Sequence, residues 1–232
     1  MAPLSAVLLP RDNNPWFSTQ YFDSARQTQE YLHGIREHVF LTVISVAVGF
    51  AVSMALALLV RRFRRAEGPV LALADTVYSV PSIALFALLQ PITGLSLTGP
   101  VIGLSAYTLL ILVRNILEGL RSVPAETIEA ATGLGYGAVR RLVKVELPLA
   151  LPAIFAGLRI ATVSTVGLVT VAFALSHGGL GQVLTIGFKN NLYRQQVLDA
   201  VLGIVVIAIV LDLLILLAQR LCTPWTRARA GA

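Results

Sequence analysis

The sequence is short of charge. Of its 232 residues only 13% are Asp, Glu, Lys or Arg, against 56% that are hydrophobic. A soluble domain of this length needs more charged surface, so the composition points to an integral membrane protein. Cysteine is nearly absent. Cys222 stands alone, which excludes an intrachain disulfide and a cysteine-based metal site. The three histidines, His33, His38 and His177, are scattered without ligand spacing, and no metal site is expected. Aromatic residues make up 7% of the chain and form no cluster within the apolar stretches. The phosphate-cradling pattern GxxxxGKS/T is missing, so no bound nucleotide or other cofactor is expected on this chain. The net charge of +6 is not laid out as a basic stripe interleaved with aromatics, which argues against nucleic acid as a partner. The opening MAPLSAVLLP lacks the basic leader of a cleaved signal peptide, and the first span is expected to direct insertion. Neither an internal repeat nor a low-complexity tract stands out.

What the chain does have is apolar runs. A helix needs roughly 20 apolar residues, at about 1.5 Å each, to cross a hydrocarbon core of about 30 Å. Five stretches qualify: about 39–60, 69–90, 99–113 (short, extendable towards 117), 149–175 and 197–218. All are expected to be helices, because an open strand edge in lipid leaves backbone groups unpaired. The fold class is therefore an all-α integral membrane protein with about five transmembrane helices.

Basic residues set the orientation. The stretch RRFRR after the first span, Arg114, Arg121, Arg140, Arg141 and Lys144 after the third, and Arg220, Arg227 and Arg229 in the tail all fall on one side. That side holds 12 of the 18 Lys and Arg. It is expected to be cytoplasmic, with the N-terminus outside and the C-terminus inside. Residues 1–38 then form an external leader. Trp16, Phe17, Tyr21, Phe22 and Tyr31 among its polar residues suit either an interfacial helix or a solvated lead into the first span. Residues 39–221 form the membrane domain, and 222–232 a cytoplasmic tail.

Between the third and fourth spans, about residues 124–147, lies a polar, glycine-broken insert. Pro124 suits the start of a helix, and Glu126 and Glu129 suit its first turn, where the helix dipole favours negative charge. Ala125, Ile128 and Ala131 repeat at helical spacing. Gly133, Gly135 and Gly137 break the helix. A second short helix is expected near Ala138, with Val139, Leu142 and Val143 along one side and Arg140, Arg141 and Lys144 facing elsewhere. Pro148 opens the fourth span. From composition alone, an amphipathic loop resting on lipid is favoured over an elbow standing off the membrane.

The spacing Glu129-Ala130-Ala131, three residues, Gly135, nine residues, Val145, one residue, Leu147-Pro148 resembles the "EAA" signature of permease subunits of bacterial ABC importers. Isoleucine is usual where Val145 stands. The stretches 75–94 (DTVYSVPSIALFALLQPITG), 112–124 (LVRNILEGLRSVP), 145–163 (VELPLALPAIFAGLRIATV) and 178–188 (GGLGQVLTIGF) resemble the glycine betaine, carnitine and choline branch, although that branch commonly carries asparagine where Asp75 stands. The likeness covers about residues 39–221. It implies a type I permease fold in the bacterial cytoplasmic membrane. The insert becomes the coupling elbow, with Glu129, Ala130, Ala131, Gly135, Leu147 and Pro148 serving a partner ATPase that carries ATP and Mg. It further implies a second permease subunit, identical or related, and an extracytoplasmic substrate-binding protein bearing the aromatic cage. The alternatives are a permease for methionine or another amino acid and, from a different class, a passive or stretch-activated channel.

Ionisable groups inside spans need partners or water. Asp75, Arg159 and Asp212 lie at similar depth by residue count, so Arg159 is expected to pair with Asp212 or Asp75. Pro81 removes a backbone hydrogen bond and can kink the second span. Tyr78, Ser79 and Ser82 around it, and Ser164, Thr165 and Thr170 in the fourth span, are candidates for the lining of a pathway or gate. A bond from each hydroxyl back to its own helix explains these residues equally well. Residues 177–182 (HGGLGQ) are expected to form an outer loop whose glycines allow close backbone approach. No grouping suits a catalytic site, so a non-catalytic transport subunit is expected.

Overall fold

A computed structural model describes residues 22, 25–175, 177–190 and 193–225. Its elements are helical throughout. Helix α1 spans Ala25–Arg62, α2 Glu67–Ser79, α3 Ser82–Thr93 and α4 Thr98–Arg121. Two short helices follow, α5 at Ala125–Gly133 and α6 at Ala138–Arg141. A wider helical turn over Leu142–Glu146 leads into α7, Leu147–Val171; α8 covers Leu180–Lys189 and α9 Arg194–Cys222. Among the described residues, four helices are long and apolar enough to span a membrane by themselves. The count reaches five if α2 and α3 together make one broken span.

Helix ends follow local chemistry. Pro148 lies within a helical stretch that runs unbroken from Ala138 to Val171. Lacking an N–H, it follows the wider turn at Leu142–Glu146, where the Leu147 amide reaches back to the Leu142 carbonyl. Arg61 and Arg62 close α1, and Arg121 closes α4, each placing positive charge where carbonyls end the helix. The third span runs on to Arg121, past the expected limit near 117. Helix α1 begins at Ala25, so residues 25–38 continue the first span and form no separate interfacial helix. Phe22 packs its ring edge-on to Tyr31, with 5.4 Å between centroids. Trp16, Phe17 and Tyr21 lie outside the described residues, as does the tail beyond residue 225.

Helix α4 is the centre of the bundle, packed between α1 and α7. Ala57 and Val60 of α1, Leu112, Val113, Ile116 and Leu120 of α4, and Ala150 and Ile154 of α7 are buried together. Lipid supplies no hydrophobic drive between helices, so close packing must hold them. Small residues permit it: a β-carbon at Gly157 of α7 would lie 2.5 Å from the β-carbon of Asn115 on α4. A second cluster joins Val166 of α7, Leu180 and Val183 of α8, and Ala200 and Ile207 of α9. The outer face of α9 carries exposed Leu202, Val206, Ile209, Leu213 and Leu217, the composition of a lipid-facing surface.

Tethers fix α1 near both ends. Near its start, the Tyr31 hydroxyl donates to the Asp199 carbonyl at 2.9 Å, and His38 Nε2 donates to the Val166 carbonyl at 3.0 Å. Near its finish, Arg61 reaches the base of the elbow. The 177–182 stretch lies at the opposite end of the bundle from the elbow, and it differs from the expected loop. Leu180 already begins α8, and Gly179 (φ +52°) packs so tightly on α1 that a β-carbon there would sit 2.7 Å from His38.

Candidate functional site

The elbow is built by α5, a glycine turn and α6. The Leu134 and Tyr136 amides return to the Ala130 and Ala131 carbonyls at 3.0 and 3.1 Å, closing α5. Gly135 then adopts φ +79°. Its surroundings are open, so glycine is required by the backbone conformation and not by space. Glu129 and Ala130 face solvent, whereas Ala131 is buried. Leu134 and Val139 are each 76% exposed at the tip, and the Arg140 guanidinium lies over the Tyr136 ring at 4.2 Å. The expected apolar side of the second helix is thereby split. Leu142 packs on the α1/α4/α7 core, while Val139 and Val143 point outward, because the wider turn at 142–146 rotates successive residues away from a single stripe.

A residue that sequence reasoning passed over holds the elbow's base. Glu146 is only 4% exposed and stands just before the apolar run of α7. Arg61, at the end of α1, donates from Nε and Nη2 to its two oxygens at 2.9 and 2.7 Å. Arg141 Nε donates to the same carboxylate at 2.9 Å, and its Nη1 donates to Thr132 Oγ1 of α5 at 2.9 Å. One carboxylate thus knots α1, both arms of the elbow and α7. Burial alone would raise its pKa. The hydrogen bonds and positive charge of the two arginines outweigh that effect and hold it below the usual carboxylate range. Leu147 and Pro148 follow, half-buried, as the first turn of α7.

The second structural break lies at Val80–Pro81, where α2 and α3 meet at 97°. Pro81 has no N–H to continue the ladder, and the Val80 amide turns back to the Val77 carbonyl at 3.2 Å. The Val80 carbonyl accepts a hydrogen bond from the Tyr107 hydroxyl of α4. Tyr107 also meets Tyr78 edge-on, with centroids 6.0 Å apart at 72°. The expected absence of an aromatic cluster fails here, because α4 brings together two rings that are remote in sequence. Beside the pair opens a cavity of about 480 Å³, lined by Tyr78, Ser82, Tyr107, Thr108, Ser164 and Thr165 among others. Of the candidate pathway residues, Ser79, Pro81 and Thr170 stay off its wall. The Ser79 and Thr165 hydroxyls donate back to the Asp75 and Ala161 carbonyls of their own helices at 2.8 and 2.7 Å.

The charges separate into distinct pairs. Arg159 of α7 forks onto Asp212 of α9 with two bonds of 2.7 Å. Asp75 is not part of that group. It accepts Arg114 Nη2 of α4 at 2.8 and 3.0 Å, because it lies on the α2 face turned to α4, whereas Arg159 faces α9. Glu67 and Arg121 form a second α2–α4 pair nearer the elbow. Among the described residues, no three His, Cys, Asp or Glu side chains gather as metal ligands.

Residues 47–228 match the family described as binding-protein-dependent transport system inner membrane component. The chain belongs to that family. Such a component is a permease of ABC transport systems, which sets aside the passive channel. This permease is 31% identical to the choline transport system permease protein OpuBB of Bacillus subtilis, over 84% of this chain and 89% of the relative. It is 35% identical to the osmoprotectant import permease protein OsmW of Salmonella typhimurium, over 81% and 89%. In fold it resembles a chain of the MetNI methionine ABC transporter in an inward-facing form. The TM-score is 0.70 at 24% identity, covering 86% of this permease and 97% of that chain. At that identity the likeness carries the architecture alone. Sequence signals for the two missed features were faint. Glu146 occupies the unspecified position between Val145 and Leu147, and Tyr107 is a lone polar-tipped ring in an apolar run.

Proposed function

We infer that this permease works in an ATP-driven importer of osmoprotectants, with glycine betaine, choline and carnitine as the solute class. The observation that carries the reading is the elbow. Its tip exposes Leu134 and Val139 to solvent, yet its base is fastened to α1 and α7 through Glu146. An exposed apolar tip on a tethered base suits docking into a groove of a separate ATPase, which carries ATP and Mg. Glu129, Ala130, Ala131 and Gly135 form the docking arm, and Leu147 and Pro148 join it to α7. The elbow lies in the cytoplasm with the C-terminus, and the N-terminus lies outside, in keeping with the excess of basic residues on the elbow's side.

A second permease subunit, identical or related, completes the pathway, and an external binding protein delivers the solute. When the partner ATPases close, the elbow moves, and the Glu146 knot passes that displacement to α1 and α7. Alternating access follows as the cavity beside Val80–Pro81 changes its opening. Tyr78, Ser82, Ser164 and Thr165 line the path, with Ser79 and Pro81 at its hinge. Arg159–Asp212 holds α7 to α9 and takes no part in solute contact. The solute class is supported by the relatives named for choline and for osmoprotectants.

Reconstitution with the partner ATPase, permease and binding protein tests the reading. Labelled choline or glycine betaine is expected to accumulate only with ATP inside the vesicles. Equal uptake without ATP, or ATP-driven uptake of methionine but not of these solutes, would defeat it.

A further inference from the structure

The cavity at the helix break is built for more than passage. Its volume of about 480 Å³ falls in the range of about 300–1,000 Å³ common for small-molecule sites. Two of its walls are aromatic. Tyr78 is 46% exposed, and the buried Tyr107 is fixed by its hydroxyl bond to the Val80 carbonyl. The rings stand at 72°, so they form a corner instead of a flat stack. An aromatic face attracts a cation within about 6 Å of its centroid, most strongly where water is sparse. The remaining wall is hydroxyl and aliphatic, from Ser82, Thr108, Ile111 and Ser164. Arg114, two turns along α4 from Tyr107, is turned to Asp75 and neutralised by it, so it offers little repulsion to an incoming cation.

We propose that this corner is a transit site for the trimethylammonium group of the solute, which rests midway through transport against the exposed Tyr78 ring, itself braced by the buried Tyr107. The site rests on the osmoprotectant reading above and adds that the permease itself, and not only a binding protein, contacts the solute's cationic head. The ring face is the recognition element. A solute whose head is held by dispersion and cation–π attraction alone leaves quickly, as a transit site requires.

The test uses the complete importer in proteoliposomes. Tyr78→Phe keeps the ring and is expected to import choline close to the unsubstituted rate. Tyr78→Leu removes it and is expected to lower uptake efficiency about tenfold, while binding-protein-stimulated ATP hydrolysis persists. Mono-, di- and trifluorinated phenylalanine at position 78 drain the ring face without changing its shape, and KM is expected to rise stepwise along that series. A flat KM across the fluorinated series overturns the site, as does wild-type uptake by Tyr78→Leu. If the unsubstituted importer moves no quaternary ammonium solute at all, the osmoprotectant reading falls, and the site falls with it.

Discussion

Two of the sharp bends among the described residues, at Val80–Pro81 and at Gly133–Gly137, solve opposite problems. At Val80–Pro81 a span breaks inside the bundle, and the Val80 carbonyl is captured by Tyr107 from a neighbouring helix. At Gly133–Gly137 the chain bends outside the apolar runs, where Gly135 takes a positive φ and Leu134 and Val139 are left bare. In a membrane, a broken helix is tolerated only where its backbone groups find protein partners or water. Outside it, water meets that need, and side chains become free to serve another protein. The inner break is therefore fixed by its protein partners, whereas the outer elbow leaves its tip exposed and is tied at its base through Glu146.

Substitutions can sharpen that contrast. The largest loss of stability is expected for Glu146→Ala, at the joint between elbow and bundle. It leaves two arginines facing an empty carboxylate site. The effect is on the order of 2–4 kcal/mol, below the 3–5 for a wholly buried pair because the Arg61 and Arg141 side chains are 27% and 24% exposed. Thermal unfolding of the purified permease in detergent measures it. The same knot gives a pH dependence. The Glu146 pKa is lower in the folded chain, so its contribution is present above the ordinary carboxylate range and is lost as pH falls through the folded value. Protection factors for the amides of residues 138–146, corrected for base-catalysed intrinsic exchange, are expected to fall in acid and to stay level from neutral to mildly alkaline pH.

Next comes Tyr107→Phe, which keeps the ring and strips the Val80 carbonyl of its partner. A loss of about 1–3 kcal/mol is expected, again read by thermal unfolding. If stability were unaffected, the inner break would not depend on that bond. Gly135→Val is expected to lower stability by about 1–2 kcal/mol, the penalty for a side chain in left-handed backbone. ATP-driven uptake should nonetheless fall more than tenfold, because the elbow presents its tip differently. Leu134→Ser ends the series. It should shift stability by less than about 0.5 kcal/mol, as exposed changes do, yet weaken co-purification with the ATPase. An unchanged association would remove Leu134 from the docking surface.

Local and compositional features were legible in the sequence, whereas contacts across helices were not. The spans follow from apolar length, and the elbow from a spacing confined to twenty residues. Pro81 announced a bend because its chemistry acts on its own backbone. Three structural groupings could not be read. Arg61 and Glu146 are 85 positions apart, Asp75 and Arg114 are 39 apart, and Tyr107 and Val80 are 27 apart. Each depends on how two helices are rotated about their axes and where they cross. Depth counted at 1.5 Å per residue places Asp75, Arg159 and Asp212 near one level, but it carries no information on facing. Asp75 accordingly meets an arginine of α4 instead of Arg159.

Helix α1 has 38 residues, which makes it about 57 Å long, nearly twice the hydrocarbon thickness. It is tied to α7 and α9 at one end and to the elbow's base at the other. Both ties reach α7, one at Val166 and one at Glu146 just before its first residue, so α1 and α7 are braced as a pair. A push at the elbow is expected to move the two helices together, and a tilt of roughly 10° about the midpoint of α1 would carry its ends about 5 Å in opposite directions.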